Sequence, residues 1–188
     1  MELSRIVKSL ALGMPALIKG GQPGYRAGDE QLALRILAPP AGLTVLSDTF
    51  VTGWPLPATA GADFGNKSPP LRWTSVPEQA RSLALIVEDP DAPTVKPFVH
   101  WLIWNIDTSV TELKTGARFA VEGRNSTLRK GFAGAAPPRG DRPHRYHFQL
   151  LALDRLLELP AGTGRGKLLA AMRGHVLASG DLVGTYAR

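Results

Sequence analysis

Leu83-Ala84-Leu85-Ile86-Val87-Glu88-Asp89-Pro90-Asp91-Ala92-Pro93, followed five residues later by Val99-His100-Trp101-Leu102-Ile103-Trp104-Asn105-Ile106, is the stretch on which the fold turns. Leu83 to Glu88 is nearly all apolar, and Val99 to Ile106 is apolar on both alternating faces. Such runs belong to strands covered on both sides of a sheet. The Asp-Pro-Asp between them is turn chemistry. Tyr146 to Leu153, led in by His144 and Arg145, reads the same way, and Leu182 to Tyr186 reads as a closing strand. One helix is expected over Lys167 to Arg173, where Leu168, Leu169 and Met172 share a face and Gly174 follows as its C-terminal cap. Many strands with one or two helices predict a mainly β fold, an antiparallel β-sandwich with peripheral helices, rather than alternating βαβ units.

The rest of the chain is consistent with that class. Its 188 residues suit one domain with a sizeable core, and 20 Gly with 16 Pro make it rich in turns. It has no cysteine, which excludes disulfides, thiolate metal sites and a cysteine nucleophile. The net charge of +6 favours anionic partners, namely phosphate-bearing ligands or an anionic membrane surface. The basic residues are scattered, without the runs that mark nucleic-acid arms, so no nucleic-acid partner is expected. Residues 1–40 read as an extension and 41–188 as the domain. Leu3, Ile6, Val7, Leu10, Met14 and Leu17 recur at helical spacing in the extension, with Arg5 and Lys8 between them. This is an amphipathic helix, to cover the domain or to lie on an anionic membrane. It is a poor secretory signal, because Glu2 and Lys8 interrupt the pattern. No stretch approaches the length of a transmembrane helix, and a cytoplasmic location is expected.

Strand alternation points to a site. Asp89 emerges at the end of the face carrying Leu85 and Val87. Strict alternation puts His100 on a face with Leu102, Trp104 and Ile106, and His144 on a face with Tyr146, Phe148 and Leu150. If the strands are neighbours, a carboxylate, two imidazoles and a phenol meet at one end of the sheet. A carboxylate beside an imidazole favours the imidazolium and orients its ring. Imidazoles and a phenol donate hydrogen bonds to an oxyanion such as phosphate. The bland alternatives are core histidines satisfied in place and an Asp-Pro-Asp that is only a turn. His147 falls on the opposite face from His144, and His175 lies past the helix, so both are assigned structural or surface roles. Asp89, His100 and His144 also form a formal two-His, one-carboxylate metal set, ranked below anion binding because the spacing is not diagnostic. No metal or cofactor is expected. Gly162 to Lys167 lacks the first Gly and final Ser/Thr of a phosphate-binding loop, and no Gly-x-Ser-x-Gly elbow occurs.

The same residues carry a family resemblance. Asp89-Pro90-Asp91-Ala92-Pro93 with His100-Trp101 resembles the first signature of the phosphatidylethanolamine-binding proteins. Pro137-Pro138-x-Gly140 with His144-Arg145-Tyr146 resembles the second. Ser68 to Trp73 and Gly174 to Ala178 resemble the bacterial branch often called Raf-kinase-inhibitor-like. The resemblance spans about Leu43 to Tyr186. It implies a β-sandwich with a pocket for phosphate or a phosphorylated head group. The pocket groups so implied are Asp89, His100, Pro137, His144 and Tyr146, with Asp91 and Pro93 shaping the rim. Two departures stand out: Ala135-Ala136 where bacterial relatives often carry Pro-Cys, and Phe132 where an aromatic with a hydroxyl is common.

The expected function is phosphoanion binding without an established reaction. The alternatives are an inhibitor or regulator of a kinase or protease, as eukaryotic members are, and a weak hydrolase using an Asp–His pair. The hydrolase lacks an identifiable nucleophile. A homodimer is expected only by analogy with bacterial members.

Overall fold

The computed structural model describes residues 26–119 and 121–188, so the amphipathic helix expected at the start of the chain lies outside the described residues. The long strands are β3 (Ser82–Asp89), β4 (Phe98–Ile106), β6 (His144–Leu153) and β7 (Val176–Tyr186). They form an antiparallel sheet in the order β4-β3-β6-β7. The short strands β1 (Thr44–Leu46), β2 (Leu71–Thr74) and β5 (Glu112–Leu113) form a second sheet in the order β1-β2-β5. All eight residues of β3 are buried, as its unbroken apolar run implies for a strand flanked by two others and covered on both faces.

The two faces of the large sheet feed different cores. Leu83, Leu85 and Val87 of β3, Trp101 and Ile103 of β4, and Phe148 and Leu150 of β6 pack with Val45, Leu71 and Trp73 of the small sheet. On the other face, Ala84, Ile86, Leu102, Trp104, Leu151 and Leu153 meet two helices, α1 (Ala33–Leu37) and α2 (Arg165–Met172). The helix expected near Lys167 is α2. Its Leu168, Leu169 and Met172 are buried, and Gly174 follows at φ 80°. That left-handed conformation is one glycine adopts without strain.

Strict alternation fails in β4, and this corrects the expected face of His100. Val87 pairs with Trp101, but the next residue, Glu88, pairs with Val99, so His100 is the extra residue of a β-bulge. A second irregularity lies between the pairs Leu83–Ile106 and Leu85–Ile103. There Asn105 takes φ 58°, and its side chain exchanges hydrogen bonds with the Leu157 backbone at 3.0 and 2.8 Å. Leu102 and Trp104 therefore face the helices, while Ile106 joins Trp101 and Ile103 between the sheets. His100 does not share a face with Leu102 and Trp104. It turns to the side of Asp89 and Tyr146.

The helix-covered face is polar at one end. Glu88 is fully buried and accepts hydrogen bonds from the Ala33 N–H at 2.9 Å, from Gln149 Nε2 at 2.8 Å and from Arg165. Gln149 accepts the Leu34 N–H at 2.9 Å. The first N–H groups of a helix have no partner within it, and here side chains of the sheet supply them. Residues 29–37, which precede the compositional boundary near residue 40, are thereby pinned to the sheet.

Phe148 lies at the centre of β6, fully buried, with its ring 5.6 Å from that of Phe50. Phe148→Ala should lower the unfolding free energy by about 3–5 kcal/mol, the range for deleting a core aromatic. Urea denaturation measures it.

Candidate functional site

β3 delivers Asp89 at its C-terminal end, the β4 bulge delivers His100, and the start of β6 delivers His144 and Tyr146. Antiparallel pairing of β3 with both neighbours brings these ends together at one edge of the sandwich. They line a cleft of about 720 Å³, together with Pro93, Pro137, Phe132, Asn125 and the cations Arg118, Arg129 and Lys130. The cleft wall at Gly134 needs a glycine, because a Cβ there would lie 2.6 Å from the Ala62 backbone nitrogen. The chain at 60–62 and 133–135 is laced by Ala62 N–H to Ala135 O and Ala135 N–H to Ala60 O, both 2.9 Å. The amide that Ala135 supplies in place of a proline is therefore a structural link.

Asp89 is the hub. Its Oδ1 accepts the backbone N–H groups of Asp91 at 2.8 Å and Ala92 at 3.0 Å, and its Oδ2 accepts from His144 Nδ1 at 2.8 Å. His144 Nε2 faces Asp141 Oδ2 at 3.2 Å. An imidazole with a carboxylate at each nitrogen is a donor at both. Burial opposes its charge, but the Asp89 hydrogen bond and charge, followed by those of Asp141, outweigh burial and raise its pKa. Asp141 is held below the usual carboxylate range, chiefly by its hydrogen bond to His144, and it also accepts from Arg26.

His100 behaves oppositely. Burial lowers its pKa, against the contrary pull of the Ala133 carbonyl and Asp89. Its Nδ1–H donates to Ala133 O at 2.6 Å, so Nε2 is an acceptor in the neutral ring. Its ring meets that of Tyr146 edge-on, with centroids 5.0 Å apart. The Tyr146 hydroxyl is buried and makes no well-formed hydrogen bond, with only a weak favourable influence from the Ala136 backbone. Burial above all, then the charge of Asp89, pushes its pKa well above the ordinary range, so it remains a donor.

Asp89, Pro93, His100, Pro137, His144 and Tyr146 all line the cleft, and Asp91 does not. Asp91 sits behind the wall, 1% exposed, where its carboxylate accepts from Arg145 N, Nε and Nη2 at 3.0, 2.8 and 2.9 Å and from Arg142 at 2.7 Å. Burial would raise this carboxyl, but the Arg145 hydrogen bonds and charge prevail and lower it. Arg145 also reaches Asp29, which ties the N-terminal segment to the site. His147 faces away, with Nδ1 2.7 Å from Asp181 Oδ2, and His175 pairs with Asp154 at 3.1 Å. Among the described residues no group of three His, Cys, Asp or Glu is placed to hold a metal ion, and no helix is long and apolar enough to cross a membrane. Sequence reasoning missed Asp141 and the three cations. Asp141 lies three positions before His144, a weak signal, and the cations sit on loops that have no periodicity to read.

A two-sheet antiparallel sandwich with a histidine-lined cleft at one sheet edge defines the class of protein. The family model described as phosphatidylethanolamine-binding protein matches residues 46–187, and the chain belongs to that family. A UPF0098 protein of Chlamydia muridarum is 40% identical over 149 residues, covering 77% of this chain and 98% of the relative. The crystal structure of a phosphatidylethanolamine-binding protein homologue, CT736, from Chlamydia trachomatis superposes with a TM-score of 0.74 at 38% identity, over 78% of this chain and 98% of that one. Escherichia coli YbcL, described as a member of the mammalian family of this name, gives 0.71 at 34% identity, over 79% and 99%.

The two cleft histidines should titrate apart. The His144 pKa is raised by folding, so its contribution to stability is complete below its unfolded value, about 6.5, and is lost as pH rises through the folded value. The His100 pKa is lowered, so its contribution is present above about 6.5 and is lost as pH falls through the folded value. The stability gap between wild type and His144→Gln should therefore shrink as pH rises, and the gap for His100→Gln should shrink as pH falls. Urea denaturation between about pH 5 and 9 measures both, and parallel slopes would contradict the assignment. Asp91→Ala, which strips Arg145 of its main partner, should cost about 1.5–3 kcal/mol in the same assay.

Proposed function

We propose that the chain is a binding protein for phosphoanions, meaning phosphate or a phosphorylated head group, held at the His100–Tyr146 end of the cleft. The observation that carries this reading is Tyr146, which lines the cleft and whose buried hydroxyl makes no well-formed hydrogen bond. An unsatisfied buried hydroxyl costs about 1–3 kcal/mol, and an oxyanion accepting from it removes that cost. His100 complements it. Its Nε2 accepts from the P–OH of a protonated phosphate, or takes up a proton from solvent and donates to a phosphoryl dianion. His144 acts here mainly through its charge, because its Nε2 already donates to Asp141. Direct donation from His144 requires Asp141, on its loop at the surface, to turn aside. Asp89 orients His144 and holds the 90–92 turn, so it is a positioning residue.

No chemical step enters this reading. The Asp–His pair resembles a general base, but among the described residues that line the cleft there is no Ser or Cys, and the Thr94 and Thr127 hydroxyls are engaged by Lys96 and Asn125.

Phosphate titration followed by side-chain NMR should shift the His100 and His144 ring signals and leave His147 in place. Equal movement of His147, or no movement at all, would refute the site. Tyr146→Phe should weaken phosphate binding about ten- to a hundredfold, one hydrogen bond to a charged acceptor. Its stability should be at or above wild type, because the buried hydroxyl it removes has only the weak Ala136 contact.

A further inference from the structure

The cleft is larger than phosphate alone fills. Its volume of about 720 Å³ lies in the range of sites for whole small molecules, about 300–1,000 Å³. Arg118, Arg129 and Lys130 line it and are exposed, and among the described residues none of the three has a carboxylate within ion-pair distance. The Arg118 guanidinium lies against Gly131, which takes φ 90°. A Cβ there would collide with the Arg118 guanidinium. Glu122, the nearest acid to that corner, is buried, and its Oε1 accepts from Trp101 Nε1 at 3.1 Å.

Acidic groups are correspondingly scarce. Among the described residues Asp89 is the one acid lining the cleft, and both its oxygens are engaged by the 91 and 92 amides and by His144. A ligand ammonium entering this cleft meets three cations and no free carboxylate. A concave surface lined by charge of one sign focuses the field into the cleft.

Resting on the phosphoanion reading above, we infer that the ligand class is a phosphoryl compound carrying a second anionic group, a carboxylate or another phosphoryl, rather than a zwitterionic head group. The phosphoryl sits at His100 and Tyr146, and the second anion at the wall of Arg118, Arg129 and Lys130.

Phosphoserine and phosphoethanolamine test this, because they share phosphate and ammonium and differ by one carboxylate. Calorimetric titration of the full chain with each, and with inorganic phosphate, should show phosphoserine binding about five- to tenfold tighter than phosphoethanolamine, the combined effect of a few exposed charge pairs. The ratio should fall towards one in the double variant Arg129→Gln, Lys130→Gln, and in wild type at high salt. Equal affinities in wild type, or a preference that persists in the variant, would overturn the inference and leave phosphate binding standing. If inorganic phosphate and both esters fail to bind, the phosphoanion reading falls, and the inference falls with it.

Discussion

The site depends on one carboxylate. Asp89 ends β3 and uses one oxygen to fix the turn that follows and the other to fix the first residue of β6. A charged acceptor with three donors is among the stronger hydrogen-bonded arrangements available to a side chain. It joins the turn that leads to β4 to the strand on the other side of β3. Behind it, Asp91 gathers Arg142 and Arg145, and Arg145 reaches Asp29. The two aspartates of one short turn therefore face opposite ways. Asp89 shapes the cleft, and Asp91 anchors the chain that leads into and past it.

The large sheet is asymmetric in its polar groups. On the face towards the small sheet, polarity is confined to the end that forms the cleft. On the helix-covered face, Glu88, Gln149 and His147 are buried at the corresponding end, where Glu88 and Gln149 take helix amides and Arg165, and His147 Nδ1 pairs with Asp181. Alternation explains the division: Glu88 and Asp89 are neighbours on one strand and point to opposite sides. One acid is used to dock a helix, and its neighbour is used to position a histidine.

The β class, the central strands and the C-terminal helix were legible because long apolar runs and a capped helical face leave strong periodic signals. The gathering of Asp89, His144 and Tyr146 followed from the same alternation. His100 was legible as a candidate but not in its facing, since a bulge adds one residue and alternation cannot register it. Pairing carries that information, and pairing depends on a partner strand elsewhere in the chain. Asp91 reads like Asp89 in sequence, and only the position of Arg145 separates a rim from an anchor. The short strands β1, β2 and β5 are two to four residues long and too brief for a period to show. Asp141 and the cations of the cleft wall lie on loops, where three-dimensional proximity has no counterpart in spacing.

The pair of irregularities in β4 bears on how this strand tolerates change in length. From Phe98 to Ile106 the strand spans two residues more than the β3 segment it pairs with, Leu83 to Asp89. Each irregularity absorbs one, so the ends of the strand are in phase with each other and the middle is out of phase with both. A single deletion at a paired position would transfer residues between the inter-sheet core and the helix-covered core, whereas loss of an extra residue itself would leave its neighbours paired as they are. Losing both extra residues would restore a regular strand with its ends unmoved, at the expense of the residue that presents the imidazole. Length variation in β4 is therefore expected at the two irregularities, and a sequence lacking the one at His100 would keep the sandwich and lose the cleft histidine.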